Sequence, residues 1–66
     1  MTNKIKVHRA MKDISQEQLA QTIGVSRQTI NTMEKNKYVP STVLALKIAK
    51  YFGVTVEEVF FLEETD

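Results

Sequence analysis

Arg27, Gln28, Asn31, Thr32 and Lys35 recur at spacings of one, three and four residues. On a helix of 3.6 residues per turn such spacings put all of them on one face. The side chains are chemically apt for reading nucleic acid. Arg can donate two hydrogen bonds to guanine O6 and N7. Gln and Asn each pair at two points with adenine, and Thr can touch the thymine methyl. A helix face that is only solvated is usually built from Glu and Lys. Here Glu34 is the only acid between Arg27 and Lys35. The face is that of a helix that reads base edges.

A reading helix must be held from behind. Ile30 and Met33 point away from the polar face, toward Leu19 and Ala20, with Val25 just ahead of them. Ser26 is placed to cap the helix, predicted over Arg27–Lys35. Upstream, Ser15 and Gln18 have the spacing of a capping box and open a helix from Gln16 to Ile23. Gly24 then stands where a left-handed backbone is cheapest for glycine. Ala20 is small where two helices must cross closely. Two short helices joined by a glycine turn form a helix-turn-helix, whose second helix enters the DNA major groove.

The remaining elements follow from periodicity and breakers. A first helix is expected over Lys4–Lys12, with Ile5, His8 and Lys12 on one side and Val7 and Met11 as an i, i+4 pair. Asp13-Ile14 ends it. Asn36 to Pro40 is a loop, since Pro40 forces Val39 toward extended geometry. Ser41 or Thr42 caps a fourth helix that runs to Phe52 and stops at Gly53. Val43, Leu44, Ala45, Leu46, Ile48, Ala49 and Phe52 make it apolar nearly all round, the pattern of a buried hub. Thr55 caps a short fifth helix, with Glu57 and Glu58 suited to its first turn. Phe60-Phe61-Leu62 is an apolar tail. The expected fold is all-α, a compact bundle of five short helices, with room for a short terminal two-stranded β pair.

Composition narrows the class. Sixty-six residues with 42% hydrophobic and 26% charged content describe one globular domain, residues 1–66. No apolar run reaches the length of a membrane span, and the first residues lack the apolar stretch of a signal peptide. The expectation is a cytoplasmic domain with no membrane association and no separate sensor domain. Cysteine is absent, which removes disulfides, thiol nucleophiles and cysteine-based zinc sites. No metal cluster, cofactor motif or glycine-rich phosphate loop is visible. Ser15, Ser26 and Ser41 are accounted for as caps. Glu57 and Glu58 face apart on a helix, so they form no acid/base pair. An enzyme is therefore not expected. The net charge of +1 hides an asymmetry: residues 1–40 carry +4 and residues 41–66 carry −3. Such a split suits one face for a polyanion and another kept off it.

The chain resembles the lambda-repressor/Cro-type helix-turn-helix family, also called the xenobiotic-response-element family, and its very short stand-alone members in particular. The resemblance rests on Ile14-Ser15-Gln16-Glu17-Gln18-Leu19-Ala20 and on Ile23-Gly24-Val25-Ser26-Arg27-Gln28-Thr29-Ile30. It continues through Glu34-Lys35-Asn36-Lys37, Pro40-Ser41, Leu46-Lys47-Ile48-Ala49, Phe52-Gly53-Val54 and Glu58-Val59-Phe60. It implies that Arg27, Gln28 and Thr32 read bases, with Asn31 as a fourth. Gln16 would bond a phosphate and brace the reading helix. Ser26 and Thr29 would contact phosphate or a base edge, and Lys35, Asn36, Lys37 and Tyr38 would grip phosphates just past the helix. Arg9 and Glu34 would form a structural ion pair between the first and third helices. His8, the only histidine, stands where the family often has an apolar residue and is expected to pack in the core.

One reading helix covers few base pairs, so a two-fold dimer on a palindromic operator is the expected arrangement. Phe60 and Phe61 are consecutive and cannot both face one small core. The resemblance points to Val54, Val56, Val59, Phe60, Phe61 and Leu62 as the dimer interface, with the acidic residues beyond Leu62 directed away from DNA; the alternative is that Phe60 packs inside and Phe61 covers the N-terminal segment. The leading functional expectation is a transcriptional regulator, a repressor that occludes a promoter. Control would then come through the level of the protein or from a separate regulatory partner protein. An antitoxin-like protein-binding module that also binds DNA is the second expectation.

Overall fold

The computed structural model describes residues 1–66. Five helices follow in order: α1 (Ile5–Lys12), α2 (Gln16–Ile23), α3 (Arg27–Glu34), α4 (Thr42–Phe52) and α5 (Val56–Val59). Strands β1 (Thr2–Asn3) and β2 (Phe60–Phe61) pair antiparallel, with Thr2 opposite Phe61 and Asn3 opposite Phe60. The terminal pair thus closes the chain ends over the bundle. No helix is long and apolar enough to cross a membrane.

Capping sets the helix starts. The Ser15 hydroxyl accepts from the Gln18 amide at 3.0 Å, and Gln18 Oε1 accepts from the Ser15 amide at 2.8 Å. Ser26 and Ser41 accept from the amides of Thr29 and Leu44. The stops share a device as well. Asp13, Gly24, Asn36 and Gly53 all have positive φ. At Gly24, with φ of +91°, that conformation is open chiefly to glycine, and an added Cβ would be strained although it meets no neighbour. At Asn36 an asparagine takes the left-handed position instead. Its amide bonds Met33 O, and the Lys37 amide bonds Thr32 O, each at 3.0 Å. That pair of bonds is a complete Schellman turn. It ends α3 at Glu34, one residue earlier than the sequence pattern predicts, with Lys35 as the cap.

Every helix and β2 contribute to one core: Ile5, Leu19, Ala20, Ile23, Ile30, Met33, Leu44, Ile48, Ala49, Val59 and Phe60. No buried side-chain nitrogen or oxygen lacks a hydrogen-bond partner. Three points of the packing bear on the expectations. First, α4 is not buried all round. Leu44, Ile48 and Ala49 face the core, while Val43 and Leu46 are 63% and 54% exposed. A 66-residue chain has too little material to cover a helix on every side. Second, Val59 and Phe60 are buried in this core. Val56 and Val54 pack partly against it, Phe61 is half-buried in β2, and Leu62 stands in solvent. Third, His8 lies at the rim of the core, not inside it. Its ring stacks on Phe52 with centroids 5.2 Å apart, and Nε2 lies 3.3 Å from Glu58 O.

Charge links the chain ends. The Met1 ammonium lies 3.0 Å from Glu63 Oε1 and 2.8 Å from Asp66 Oδ2. Its hydrogen bond holds the Asp66 carboxyl below the usual carboxylate range.

The strongest polar tie is between α1 and α3. Arg9 Nε donates to Glu34 Oε2 at 2.7 Å and Nη2 to Oε1 at 3.1 Å, while Nη1 donates to Ile14 O at 2.9 Å. The two side chains are only 15% and 6% exposed. The hydrogen bonds to Glu34 raise the Arg9 guanidinium further above its already high range. Removing one partner of such a pair strands the other charge in the interior. Glu34→Ala is expected to lower unfolding free energy by about 3–5 kcal/mol. Urea titration followed by circular dichroism will check this, and a loss below about 1 kcal/mol would mean the pair behaves like an exposed one.

Candidate nucleic-acid interface

α2 and α3 make the closest helix contact of the fold. Leu19, Ala20 and Ile23 from α2 meet Ile30 and Met33 from α3, and Ala20 is small enough to let the backbones approach. Burying Ile30 and Met33 fixes the rotation of α3 and turns Arg27 and Gln28 to solvent. Asn31 and Thr32 are half-buried on the flank of the same face. Lys35, Asn36, Lys37 and Tyr38 are exposed just past its end.

Three cations of this face are unengaged. Arg27, Lys35 and Lys37 have no carboxylate partner, since the ion pairs of the molecule lie elsewhere. Glu34, the only acid on α3, spends its charge on Arg9. The face therefore presents positive charge without internal compensation, which favours a polyanion.

The polar side chains at the back of the face are already committed. Gln16 Nε2 donates to Asn31 Oδ1 at 3.3 Å and to Glu34 Oε1 at 3.2 Å. Both amide hydrogens of Gln16 are used this way, so a bond from it to phosphate would replace one of them. In this arrangement Gln16 braces α3. Asn31 accepts through its oxygen and keeps its NH2 group free to donate. The Thr32 hydroxyl donates back to Gln28 O and Thr29 O, both at 3.0 Å. Its apolar methyl is the part left for a base. Ser26 Oγ and Thr29 Oγ1 lie 2.9 Å apart. One hydroxyl hydrogen bridges them and the other remains to donate.

Sequence reading missed one residue at this site. Asn3, on β1, reaches the end of α3: Nδ2 donates to Met33 O at 2.7 Å and to Asn36 Oδ1 at 3.3 Å. Nothing in the pattern around Met1-Thr2-Asn3-Lys4 signals a contact 30 residues away. Only the pairing of β1 with β2 brings it there.

Comparison with known proteins agrees with this geometry. A helix-turn-helix family model (HTH_3) matches residues 5–59. An uncharacterised HTH-type transcriptional regulator of Methanocaldococcus jannaschii is 53% identical over 66 residues, covering all of both chains. The HTH-type transcriptional regulator YgzD of Bacillus subtilis is 55% identical over 64 residues, 97% of each chain. The transcriptional repressor RstR of a cryptic phage CTXphi in Vibrio cholerae is 34% identical over 65 residues, 98% of this chain and 59% of that one. With a braced reading helix, an uncompensated basic face and these relatives, the chain belongs to the helix-turn-helix family of DNA-binding transcriptional regulators.

Proposed function

We propose that this protein is a cytoplasmic, sequence-specific repressor that binds an inverted-repeat operator as a homodimer, with α3 in the major groove. The observation that carries the reading is the pairing of free Arg27 and Gln28 with an α3 immobilised from behind. Arg27, Gln28, Asn31 and Thr32 read bases in this proposal. Ser26, Thr29, Lys35, Asn36, Lys37 and Tyr38 hold the phosphates on either side, which fixes register without specifying sequence. The relative RstR is a transcriptional repressor, which supports repression as the sign proposed here.

The dimer reading draws on the apolar face that the fold leaves open. Val39, Val43 and Leu46 are exposed. Val39 and Leu46, with Met1, Pro40, Val56 and Phe60, line a shallow groove of about 230 Å³. A second copy covering this groove would bury aliphatic surface on both partners, as a two-fold contact requires. The two α3 helices must then lie about 34–36 Å apart to meet successive major grooves. A regulatory partner protein is the competing occupant.

Selection from a random DNA pool tests the whole reading. It should enrich an inverted repeat, and a folded protein that enriches nothing would remove it. On that site, Arg27→Ala and Gln28→Ala should each cost about 1–3 kcal/mol of specific binding, with helix content unchanged. Wild-type binding in both would place the reading face elsewhere. Lys37→Ala should weaken binding to every sequence and reduce the salt slope by about one. An unaltered slope would remove Lys37 from the phosphate contacts. Leu46→Asp should give monomers in sedimentation equilibrium, and a persistent dimer would put the interface on another surface.

A further inference from the structure

The carboxamide of Asn3 is used completely, and in three directions. Oδ1 accepts from the Ile5 amide at 3.1 Å, satisfying the first turn of α1. Nδ2 donates at 2.7 Å to Met33 O and at 3.3 Å to Asn36 Oδ1. The orientation of the amide is forced, because the Ile5 amide can only donate and the Met33 carbonyl can only accept. Met33 O is also the acceptor for the Asn36 amide in the turn that ends α3. Asn3 itself pairs with Phe60 across the terminal strands, and the adjacent Lys4 amide bonds Val59 O at 2.8 Å. A single side chain therefore joins the terminal strand pair, the start of α1 and the left-handed turn at Asn36.

We infer that Asn3 is a positioning residue for DNA binding, clasping the Asn36 turn so that Lys35 and Lys37 are presented to phosphate only while β1 stays paired with β2. The inference rests on the proposed phosphate role of that turn. The turn has few other supports: Lys35, Asn36, Lys37 and Tyr38 are all exposed, and Asn36 holds a positive φ that a non-glycine residue adopts at a cost. Two backbone bonds close it, and the Asn3 amide is the side chain that reaches it from another element. Loosening β1 would release that amide and free the turn without disturbing Ile30 on α3, which is fully buried.

Asn3→Asp separates the two halves of this role. The carboxylate can still accept from the Ile5 amide, so α1 keeps its start. It can no longer donate, and it meets Met33 O as a repelling charge. In the free protein, amide hydrogen exchange at Asn36 and Lys37 should accelerate about five- to tenfold, while Ile30 and Ile48 stay as protected as in the wild type. Equal protection at Asn36 and Lys37 in both proteins would overturn the clasp, whatever the protein does with DNA. On the selected operator, Asn3→Asp should bind about five- to tenfold more weakly. Its loss should be non-additive with that of Lys37→Ala, because a Lys37 already misplaced has less to lose. Additive losses would mean that Asn3 acts only through general stability, and would also overturn the inference. Should Asn3→Asp not fold, Asn3→Ser takes its place: the hydroxyl can still accept from the Ile5 amide but is too short to hold both Met33 O and Asn36. The same non-additivity with Lys37→Ala, on a smaller loss of about two- to threefold, is expected there. A normal salt slope in Lys37→Ala alone would instead defeat the phosphate reading and leave the exchange experiment to decide the clasp.

Discussion

The arrangement of the helix-turn-helix depends on one buried ion pair. Arg9 and Glu34 meet through two parallel hydrogen bonds, and the third Arg9 donor holds the Ile14 carbonyl at the entry to α2. Gln16 completes the node by donating to the same carboxylate. Three helices are thus registered by one guanidinium and one carboxylate. A pair this enclosed gains less from its charge than its geometry suggests, because both ions lose water. What it supplies is selectivity among packings. Apolar contacts between α1, α2 and α3 tolerate small rotations, whereas a two-point pair does not. Rotation of α3 is the variable that decides which side chains face DNA, so the constraint falls where function needs it.

That constraint also explains which face of α1 is left outside. Arg9 must point inward, and Ile5, His8 and Lys12 share its side of the helix. Ile5 enters the core, His8 stacks on Phe52, and the Lys12 ammonium lies 5.1 Å from the Tyr51 ring centroid. Val7 and Met11 are consequently turned to solvent, 52% and 68% exposed. The same economy acts on α4, whose core stripe leaves Val43 and Leu46 outside. A domain of this size cannot bury every aliphatic residue it carries. Surplus apolar surface collects on the outer faces of α1 and α4, and these are the surfaces open to association.

Much of this was legible in the chain. The elements were readable because their signals are local: Ser15 with Gln18, Gly24, Ser26, Pro40 and Gly53 each mark a boundary within a few residues of their effect. The outward polar face of α3 is legible because α3 is strongly amphipathic. What escaped was non-local. Asn3 acquires its role only when strand pairing carries it to Met33. The pattern leaves open whether Phe60 packs inside, and only the fold decides that it enters the core while Phe61 stays half-buried in β2. Composition made α4 look buried, but burial depends on what surrounds a helix and not on its own residues. The resemblance gives Asn36 a phosphate role and says nothing of the left-handed backbone with which Asn36 ends α3.

α3 is consequently held at three places and free at one. Ser26 and Thr29 secure its first turn, Gln16 and Glu34 secure its flank, and the Asn36 turn secures its end. Arg27 and Gln28 are left exposed between these anchors. This division has a thermodynamic rationale. Ordering a flexible side chain on binding costs about 0.5–1.5 kcal/mol, and ordering a backbone segment costs more. Fixing the backbone of α3 beforehand removes the larger cost from the binding step. Leaving two long polar side chains mobile keeps the smaller one, and this cost favours discrimination. In the proposed reading, Arg27 and Gln28 recover it only where a base pair offers a two-point partner, so a mismatched site binds the same rigid scaffold through phosphate contacts alone.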